Sequence, residues 1–296
     1  MATVTEYALM AGASYISTRA EINQIPAPDG WLEKIDKRKI QPSGFEATYF
    51  TKGTEVVISY AGTNPADIRG DVAADLALAL GAISDQIRQA ADYYLAVKAS
   101  VPEGTKITFT GHSLGGGLAS LMAVFFGESG YTFDQAPFLR SALTTTTDIG
   151  GNIVTRSVAA DLKTYLIGKG ATTTQLAKLS AYISAADPSN TAPIVADTLA
   201  VRQQAVTNIN TEGEFLTSWP GIPTSNRIGS QANIVNSHDG VGGIALHSQA
   251  LLTAFLQSDP VAATNTDLQA KTLNRVYAVP CQRKAPHGPP PDKRRP

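Results

Sequence analysis

The chain has 296 residues, of which 43% are hydrophobic and only 17% are charged. The length predicts one large domain or two small ones, and the composition excludes a body that is largely disordered. The formal net charge is −1, but five basic residues lie in the last fourteen positions, so the body of the chain is acidic. This argues against nucleic acid as a partner, because phosphate binding needs Lys and Arg clustered on a folded surface.

The composition also argues against a metal site. A single cysteine, Cys281, excludes an internal disulfide and a zinc site built from several cysteines. Asp67, Asp71 and Asp75 repeat every four residues, which places them on one face of a helix and is not the spacing of a calcium-binding loop. We therefore expect neither a metal ion nor a cofactor.

The N-terminus lacks a basic segment followed by an apolar one, so no cleavable signal peptide is predicted. The longest apolar stretches, such as residues 121–126, are much shorter than the roughly 20 residues that span a bilayer. We expect a soluble protein, either cytoplasmic or exported without a cleavable signal peptide.

The first third of the chain predicts one helix and two strands. Apolar residues between positions 4 and 15 have helical spacing, and a loop rich in proline follows at residues 25–31. Two β-rich runs, residues 45–51 and 55–60, are joined by Lys52-Gly53, which predicts a hairpin. The second run is almost continuously apolar, as is typical of a buried central strand.

Helices and strands then alternate. A helix is predicted from Ser84 to Ala99, with Ser84 as its N-cap. A strand at Lys106–Thr110, an apolar helix at Leu118–Gly127 and a strand at Tyr131–Phe133 follow. This order is typical of a doubly wound parallel sheet.

Residues 139–200 interrupt that order. They are rich in Thr, Ser and Ala, with helical patterns at Val158–Ile167 and Leu176–Ser184. We interpret them as an inserted helical cap. The sheet pattern resumes at Ala205–Asn210, and a last helix is predicted from about Leu246 to Leu256.

The C-terminal residues differ in composition from the rest. Residues 283–296 hold five prolines and five basic residues, which predicts a disordered tail. Residues 1–282 are therefore expected to form a single folded domain.

The sequence Gly111-His112-Ser113-Leu114-Gly115 places a serine between two glycines, directly between a predicted strand and a predicted helix. A tight turn at this place lifts the serine side chain above the sheet, and side chains at the glycine positions would clash. The helix N-terminus that follows stabilises developing negative charge. We therefore predict that Ser113 is a nucleophile. A Gly-rich turn with a buried serine is the alternative.

A serine nucleophile needs a base, which is usually a histidine. The chain has four histidines. His112 lies inside the serine turn and His287 lies in the tail, which leaves His238 and His247. We predict His247 as the base, because it lies late in the chain at the start of a predicted helix. His238, in a predicted surface loop, remains the alternative.

Four segments of the chain resemble successive motifs of the class 3 lipase family of α/β hydrolases. They are residues 57–63, 111–116, 132–137 and 246–248. The resemblance spans about residues 45–256 and is most specific around Ser113. It implies an α/β-hydrolase fold, with a mostly parallel central sheet, helices on both faces and an inserted cap.

The resemblance also implies the remaining site residues. Thr63 would supply a backbone N–H and its hydroxyl to an oxyanion hole, and Leu114 would supply a second backbone N–H. Glu214 occupies the position after a late strand where the family has an aspartate. With Glu214 as the acid, the nucleophile, acid and base follow one another in the order of α/β hydrolases. Three other acidic residues remain alternatives: Asp187, Glu212 and Asp239.

These residues predict an enzyme that cleaves carboxylic esters through an acyl-serine intermediate. The resemblance implies acylglycerols or related lipid esters as substrates, bound at a lipid–water interface beneath a lid. A short-chain esterase or polyester hydrolase is the alternative within the same chemistry. A non-catalytic surface module of a larger exported protein is the alternative from another class.

Overall fold

The fold was determined as a computed structural model. It describes residues 1–17, 24–62, 72–149, 152–187, 195–214, 216, 226–234 and 247–248. The described strands are β1 (Leu32–Glu33), β2 (Lys39–Ile40), β3 (Glu46–Lys52), β4 (Glu55–Tyr60), β5 (Lys106–His112), β6 (Ser129–Phe133), β7 (Thr144–Ile149), β8 (Asn152–Ser157), β9 (Val206–Thr211) and β10 (Ser230–Ile234).

Helices and strands alternate from β4 to β7, and the other described α-helices lie before β1 and between β8 and β9. The α-helices are α1 (Val4–Ala13), α2 (Val72–Ser100), α3 (Leu114–Phe126), α4 (Leu139–Ala142), α5 (Val158–Gly168), α6 (Ala177–Ala185) and α7 (Leu199–Arg202). Short 3₁₀ turns lie at Ile35–Lys37, Val195–Asp197 and Gln203–Ala205. Among the described helices, none combines the length and the apolar character that crossing a membrane requires.

The main sheet is mixed but mostly parallel. In the described part of the chain it has eight strands, and β4, β5, β6, β9 and β10 lie side by side in parallel. Strand β3 pairs antiparallel with β4, and β1 and β2 pair antiparallel with β3. The helical connections between parallel strands follow from the strand geometry, because parallel neighbours need a long crossover. This architecture confirms the predicted α/β-hydrolase fold.

Side chains along a strand alternate between the two faces of the sheet, so each face carries apolar side chains that need to be covered. Helices cover both faces. On one face, Val57, Phe133 and Ile209 pack with Tyr7 and Met10 of α1. On the opposite face a larger cluster includes residues of β4, β5, α2, α3, α5 and α6. Each large apolar side chain buried in these clusters contributes about 1.5–3 kcal/mol, so both layers of helices hold the sheet in place.

Two sequence predictions in these elements were wrong. Helix α2 begins at Val72 and runs through Ser84, so Ser84 is not an N-cap. The run of Ala and Leu before Ser84 is strongly helix-forming and extends the helix toward its N-terminus. In residues 139–200 the predicted helices are present as α5 and α6, but β7 and β8 form an antiparallel hairpin that precedes them. Four successive threonines in β7, which are β-branched, favour this strand.

The role of residues 139–200 as a cap remains a prediction. Leu162 and Leu166 of α5, and Leu179 and Tyr182 of α6, are buried in the core cluster that contains α3. These helices therefore stabilise the domain whatever else they do. The hydroxyl of Tyr182 also donates a hydrogen bond to the carbonyl of Ala142.

Several predictions fall on residues outside the described ranges. They include most of the helix predicted at residues 246–256, the whole tail at residues 283–296, and Cys281. Within that predicted helix, His247 and Ser248 are described, and they lie in a turn and in irregular structure. Strand β10 was not predicted from the sequence.

Candidate active site

Ser113 lies in a strained turn between β5 and α3. It caps the N-terminus of α3 with φ 58° and ψ −127°, a backbone conformation that non-glycine residues rarely adopt. Its N–H donates to the carbonyl of Phe133 at 3.0 Å, and its carbonyl accepts from Ala136 N–H at 2.9 Å. The end of β6 thus fixes the strained turn from both sides.

Gly115 allows this turn to lie against β4. A Cβ atom at Gly115 would lie 2.6 Å from the carbonyl carbon of Ala61 and would overlap the carbonyl oxygen of Tyr60. Both obstacles are backbone atoms, which cannot move aside without shifting a central strand. The second glycine of the serine motif is therefore needed for packing, as its sequence position predicts.

We expect Gly115→Ala to destabilise the protein by about 1–3 kcal/mol, because overpacking against backbone outweighs the helix propensity of alanine. Urea unfolding monitored by circular dichroism measures this loss. Gly168→Ala is the matched control, since Gly168 is also helical and a Cβ there meets nothing within 4 Å. Equal unfolding midpoints for the two variants would contradict the packing argument.

Three of the predicted site residues form one hydrogen-bonded array. Nε2 of His247 lies 2.9 Å from Oγ of Ser113, and Nδ1 of His247 lies 2.7 Å from Oε2 of Glu214. We call Ser113, His247 and Glu214 the Ser–His–Glu array. Residues far apart in sequence thereby meet at the carboxyl ends of β5 and β9, where ligands bind in open α/β sheets.

Glu214 is held as a buried carboxylate. It is fully buried, and besides His247 it accepts hydrogen bonds from Arg227 at 2.7 Å and from Leu216 N–H at 2.7 Å. Burial by itself would raise the pKa of Glu214, but the hydrogen bond and charge of His247 and the charge of Arg227 lower it below its ordinary value. Glu214 is therefore ionised at neutral pH and can orient His247.

Arg227 is a buried neighbour of the array that the sequence analysis missed. Its buried guanidinium donates to Glu214, to the carbonyl of Gln135 at 2.9 Å and to Oδ1 of Asn210 at 2.8 Å. It thereby connects the ends of β6 and β9 beneath the array. Arg227 belongs to no sequence motif and precedes a strand that was not predicted, so the sequence gave no indication of its position beside Glu214.

We expect Arg227→Met to destabilise the folded protein by about 3–5 kcal/mol at pH 7, because it leaves a buried carboxylate without its cation. Glu214 has a lowered pKa in the folded state, so its stabilising contribution is present above its unfolded pKa and is lost as the pH falls through its folded value. In the variant Glu214 lacks the charge of Arg227, so its pKa is expected to be higher, and the carboxylate should take up a proton as the pH is lowered from 7. The deficit of the variant should therefore shrink as the pH falls.

Chemical unfolding at several pH values measures this deficit. Arg88→Met is the matched control, because Arg88 pairs with Asp85 at the surface, where both side chains are exposed, and such pairs contribute about 0–1 kcal/mol. A deficit for Arg227→Met that does not vary with pH would show that the loss comes from packing and not from the ion pair.

The predicted oxyanion donors are only partly described. Leu114 is the first residue of α3, a position whose backbone N–H has no acceptor within the helix. Thr63 lies outside the described residues, but its neighbour Gly62 lies against the serine turn. A Cβ at Gly62 would lie 3.0 Å from Cβ of Ser113 and 2.7 Å from the carbonyl oxygen of His112.

The alternative residues do not reach the array where they are described. Glu212 and Asp187 are exposed, whereas the carboxylate that contacts His247 is that of Glu214. His238 and Asp239 lie outside the described residues, as do Asp67 and Asp71. The roles predicted for the members of the array remain predictions.

Two further buried groups lie beside His247. His112 is 2% exposed, its Nδ1 lies 2.8 Å from the hydroxyl of Tyr15, and its ring centroid lies 4.8 Å from that of His247. Asp134 follows β6, is fully buried and has φ 41°. Potential ligand atoms of His112, Asp134 and His247 lie within 4.8 Å of one another.

A metal ion at this cluster would have to displace existing hydrogen bonds. Both nitrogens of His247 contact members of the array, and both oxygens of Asp134 accept hydrogen bonds from Thr211. The donor set therefore suits a network of proton donors and acceptors better than a metal site.

Burial and nearby charge determine the protonation of Asp134. Burial and, to a smaller extent, the charge of Glu214 raise its pKa to about 7, against the opposing effects of His247, Thr211 and Arg227. A carboxyl group that titrates near neutral pH therefore lies beside the array.

The mostly parallel sheet and the strained serine turn at the end of β5 together define an α/β hydrolase. The sequence from residue 7 to residue 217 matches the family model of the Tle-like phospholipase domain. This match covers more than half of the chain and includes Ser113 and Glu214, so the chain belongs to this phospholipase-like family. The match confirms the predicted class 3 lipase-like family, and the protein is a lipase-like hydrolase of lipid esters.

Comparison with solved structures finds lipases and an esterase. The lipase of Rhizopus microsporus var. chinensis is 12% identical with a TM-score of 0.39, and the match covers 78% of this chain and 73% of the lipase. The Rhizomucor miehei lipase propeptide complex is 12% identical with a TM-score of 0.35, covering 83% and 74%. Carboxyl esterase 2 of Tuber melanosporum is 14% identical with a TM-score of 0.30, covering 90% and 97%. A comparison with curated proteins gives no significant match.

Proposed function

We propose that this protein is a serine hydrolase that cleaves carboxylic ester bonds of lipids, with Ser113 as nucleophile, His247 as general base and Glu214 as the acid of a catalytic triad. The observation that carries the proposal is the pair of hydrogen bonds through His247, at 2.9 Å to Ser113 and 2.7 Å to Glu214. The strained backbone of Ser113 at the N-terminus of α3 supports the same role.

In the acylation step, Nε2 of His247 accepts the proton of Ser113 while Oγ attacks the carbonyl carbon of the ester. The resulting imidazolium is stabilised by Glu214, whose charge is maintained by Arg227. His247 then donates its proton to the leaving alcohol, and Ser113 carries the acyl group. In the second step His247 activates a water molecule, which releases the fatty acid and restores the serine.

The negative charge that develops on the carbonyl oxygen needs donors already in place. The backbone N–H of Leu114 fits this role because it begins α3. The close packing of Gly62 on the serine turn supports Thr63 as the second donor, since Thr63 follows it directly in the sequence. The N-terminus of α3 adds its positive dipole end to the same region.

We propose glycerophospholipids as the main substrates, with acylglycerols as related lipid esters that the enzyme also accepts. The support is the phospholipase-like family to which residues 7–217 belong. The scarcity of charge in the chain, 17% of residues, suits contact with a lipid–water interface. That residues 139–200 act as a lid over the bound substrate remains an expectation.

Active-site labelling tests the proposal most directly. A fluorophosphonate probe should label the wild-type protein and fail to label Ser113→Ala. Ser120→Ala is the matched control, because Ser120 is a buried serine of the same helix that hydrogen-bonds to Gly117 and Gln135, and this variant should be labelled like the wild type. Labelling of Ser113→Ala would assign the nucleophile elsewhere.

Product analysis on phosphatidylcholine vesicles tests the bond that is cleaved. The proposal expects free fatty acid and lysophospholipid, while release of phosphocholine would show cleavage of a phosphodiester. Nitrophenyl esters from acetate to palmitate provide the comparison with a short-chain esterase. Activity confined to acetate and butyrate, with none on vesicles, would favour that alternative.

A further inference from the structure

We propose that Asp134 is a positioning residue of the active site, a second buried carboxylate that acts on His247 together with Glu214. This inference rests on the proposed function, because it assigns a role in the same proton transfer. It does not assign Asp134 contact with the substrate, since its carboxylate is hydrogen-bonded to Thr211.

The backbone holds Asp134 at the site under strain. Asp134 has φ 41°, and in the described part of the chain Ser113 is the other non-glycine residue with a positive φ. Aspartate and asparagine tolerate this region better than most residues, but glycine suits it best. A turn that needed only the conformation would be satisfied by glycine, so the carboxylate itself requires an explanation.

The hydrogen bonds of Asp134 fix its carboxylate in the interior. Thr211 N–H donates to Oδ1 at 2.6 Å and the Thr211 hydroxyl donates to Oδ2 at 3.2 Å, while the N–H of Asp134 donates to the carbonyl of Ile209 at 2.9 Å. These bonds attach the end of β6 to β9, three residues before Glu214. The carboxylate is thereby kept in place whether or not it carries a charge.

The charged and titratable groups around Asp134 come from every neighbouring element. His112 ends β5, Glu214 follows β9, Arg227 precedes β10, and His247 lies in its own turn. Ligand atoms of His112, Asp134 and His247 are within 4.8 Å of one another. At that distance, inside the protein, one negative charge stabilises a protonated imidazole substantially.

This arrangement gives Asp134 a definite effect on the reaction. When Asp134 is ionised, two carboxylates stabilise the imidazolium of His247 that forms as Ser113 attacks. When Asp134 is protonated, Glu214 alone does so. Because burial and the charge of Glu214 raise the pKa of Asp134 to about 7, the two states exchange near neutral pH, and turnover should rise as the pH increases through this range.

The test is the pH profile of kcat/KM on a soluble nitrophenyl ester for Asp134→Asn. Asparagine tolerates the positive φ and its Oδ1 still accepts the Thr211 hydrogen bond, so the geometry is kept while the charge is removed. We expect the acid limb of the profile to move about one pH unit toward acid, because the protonated form of His247 loses a stabilising charge. We also expect the plateau to fall about tenfold, since a less basic group transfers the proton more slowly.

Asp197→Asn is the matched control for removing a carboxylate charge that is paired with a buried cation. Asp197 pairs with Arg202, which donates to carbonyls at the C-terminal end of α3, about 18 Å from Ser113 along that helix. The acid limb of the kcat/KM profile of Asp197→Asn should coincide with that of the wild type. A limb for Asp134→Asn that also coincides with the wild type would overturn the proposal, because a merely structural role lowers activity without moving the limb.

Two further measurements keep the proposal testable if the asparagine variant does not fold. Asp134→Gly suits the positive φ and should show the same movement of the limb. In the wild-type protein, NMR signals of the His247 ring should show a step where the carboxyl of Asp134 titrates, and a ring that does not sense this step would refute the contact. Failure of the proposed function would appear differently: the Ser113→Ala variant would hydrolyse the ester as fast as the wild type.

Discussion

Replacing Ser113 by alanine is expected to lower kcat for ester hydrolysis by about 10⁴- to 10⁶-fold, because deleting the nucleophile of a triad removes the covalent route entirely. The reaction that remains would depend on substrate binding and oxyanion stabilisation alone. Steady-state hydrolysis of a nitrophenyl ester, with active-site concentration determined by fluorophosphonate titration of the wild type, measures the loss.

The fold should be unaffected by this change. The backbone contacts of Ser113, with Phe133, Ala136 and Gly117, involve its N–H and carbonyl and do not need the hydroxyl. The melting temperature should therefore stay close to that of the wild type. Residual activity within about tenfold of the wild type would exclude Ser113 as the nucleophile.

The sequence was informative wherever the chemistry is local. The glycines around Ser113 are required by the turn that contains them, so the turn, the preceding strand and the following helix could all be predicted. The strands β4, β5, β6 and β9 could likewise be predicted from short apolar or β-branched runs. The position of Glu214 came from its resemblance to a family motif, and the structure places its carboxylate against His247.

The parts that escaped prediction depend on contacts between distant segments. Arg227 meets Glu214 only because β9 and β10 pair in parallel, and strand β10 itself lacks an apolar run. Asp134 lies in a segment that resembles the lipase family, yet its nearness to His247 depends on how three strand ends converge. The hairpin of β7 and β8 is polar and rich in threonine. Its composition alone did not distinguish strands from helices in this segment.

The second large effect on kcat is expected from replacing Glu214, the acidic member of the array. We expect Glu214→Gln to lower kcat by about 10³- to 10⁴-fold, because a neutral amide no longer stabilises the imidazolium and does not fix the ring tautomer that Ser113 needs. The substitution also leaves the buried guanidinium of Arg227 without its carboxylate partner, so unfolding measurements must confirm that the variant is folded at the assay temperature.

Two comparisons decide whether Glu214 is the acid. Glu212→Gln changes an exposed carboxylate two positions away and should cost less than about tenfold in kcat, as expected for a solvated residue outside the array. Asp239→Asn should also stay within about tenfold, because that residue follows His238 in a predicted turn. If Asp239→Asn proves to be the inactive variant while Glu214→Gln keeps its activity, the acid has been assigned wrongly, although Ser113 and His247 would keep their roles.

Because Asp134 is a second carboxylate beside His247, we further expect the double variant Glu214→Gln, Asp134→Asn to lose the activity that Glu214→Gln retains.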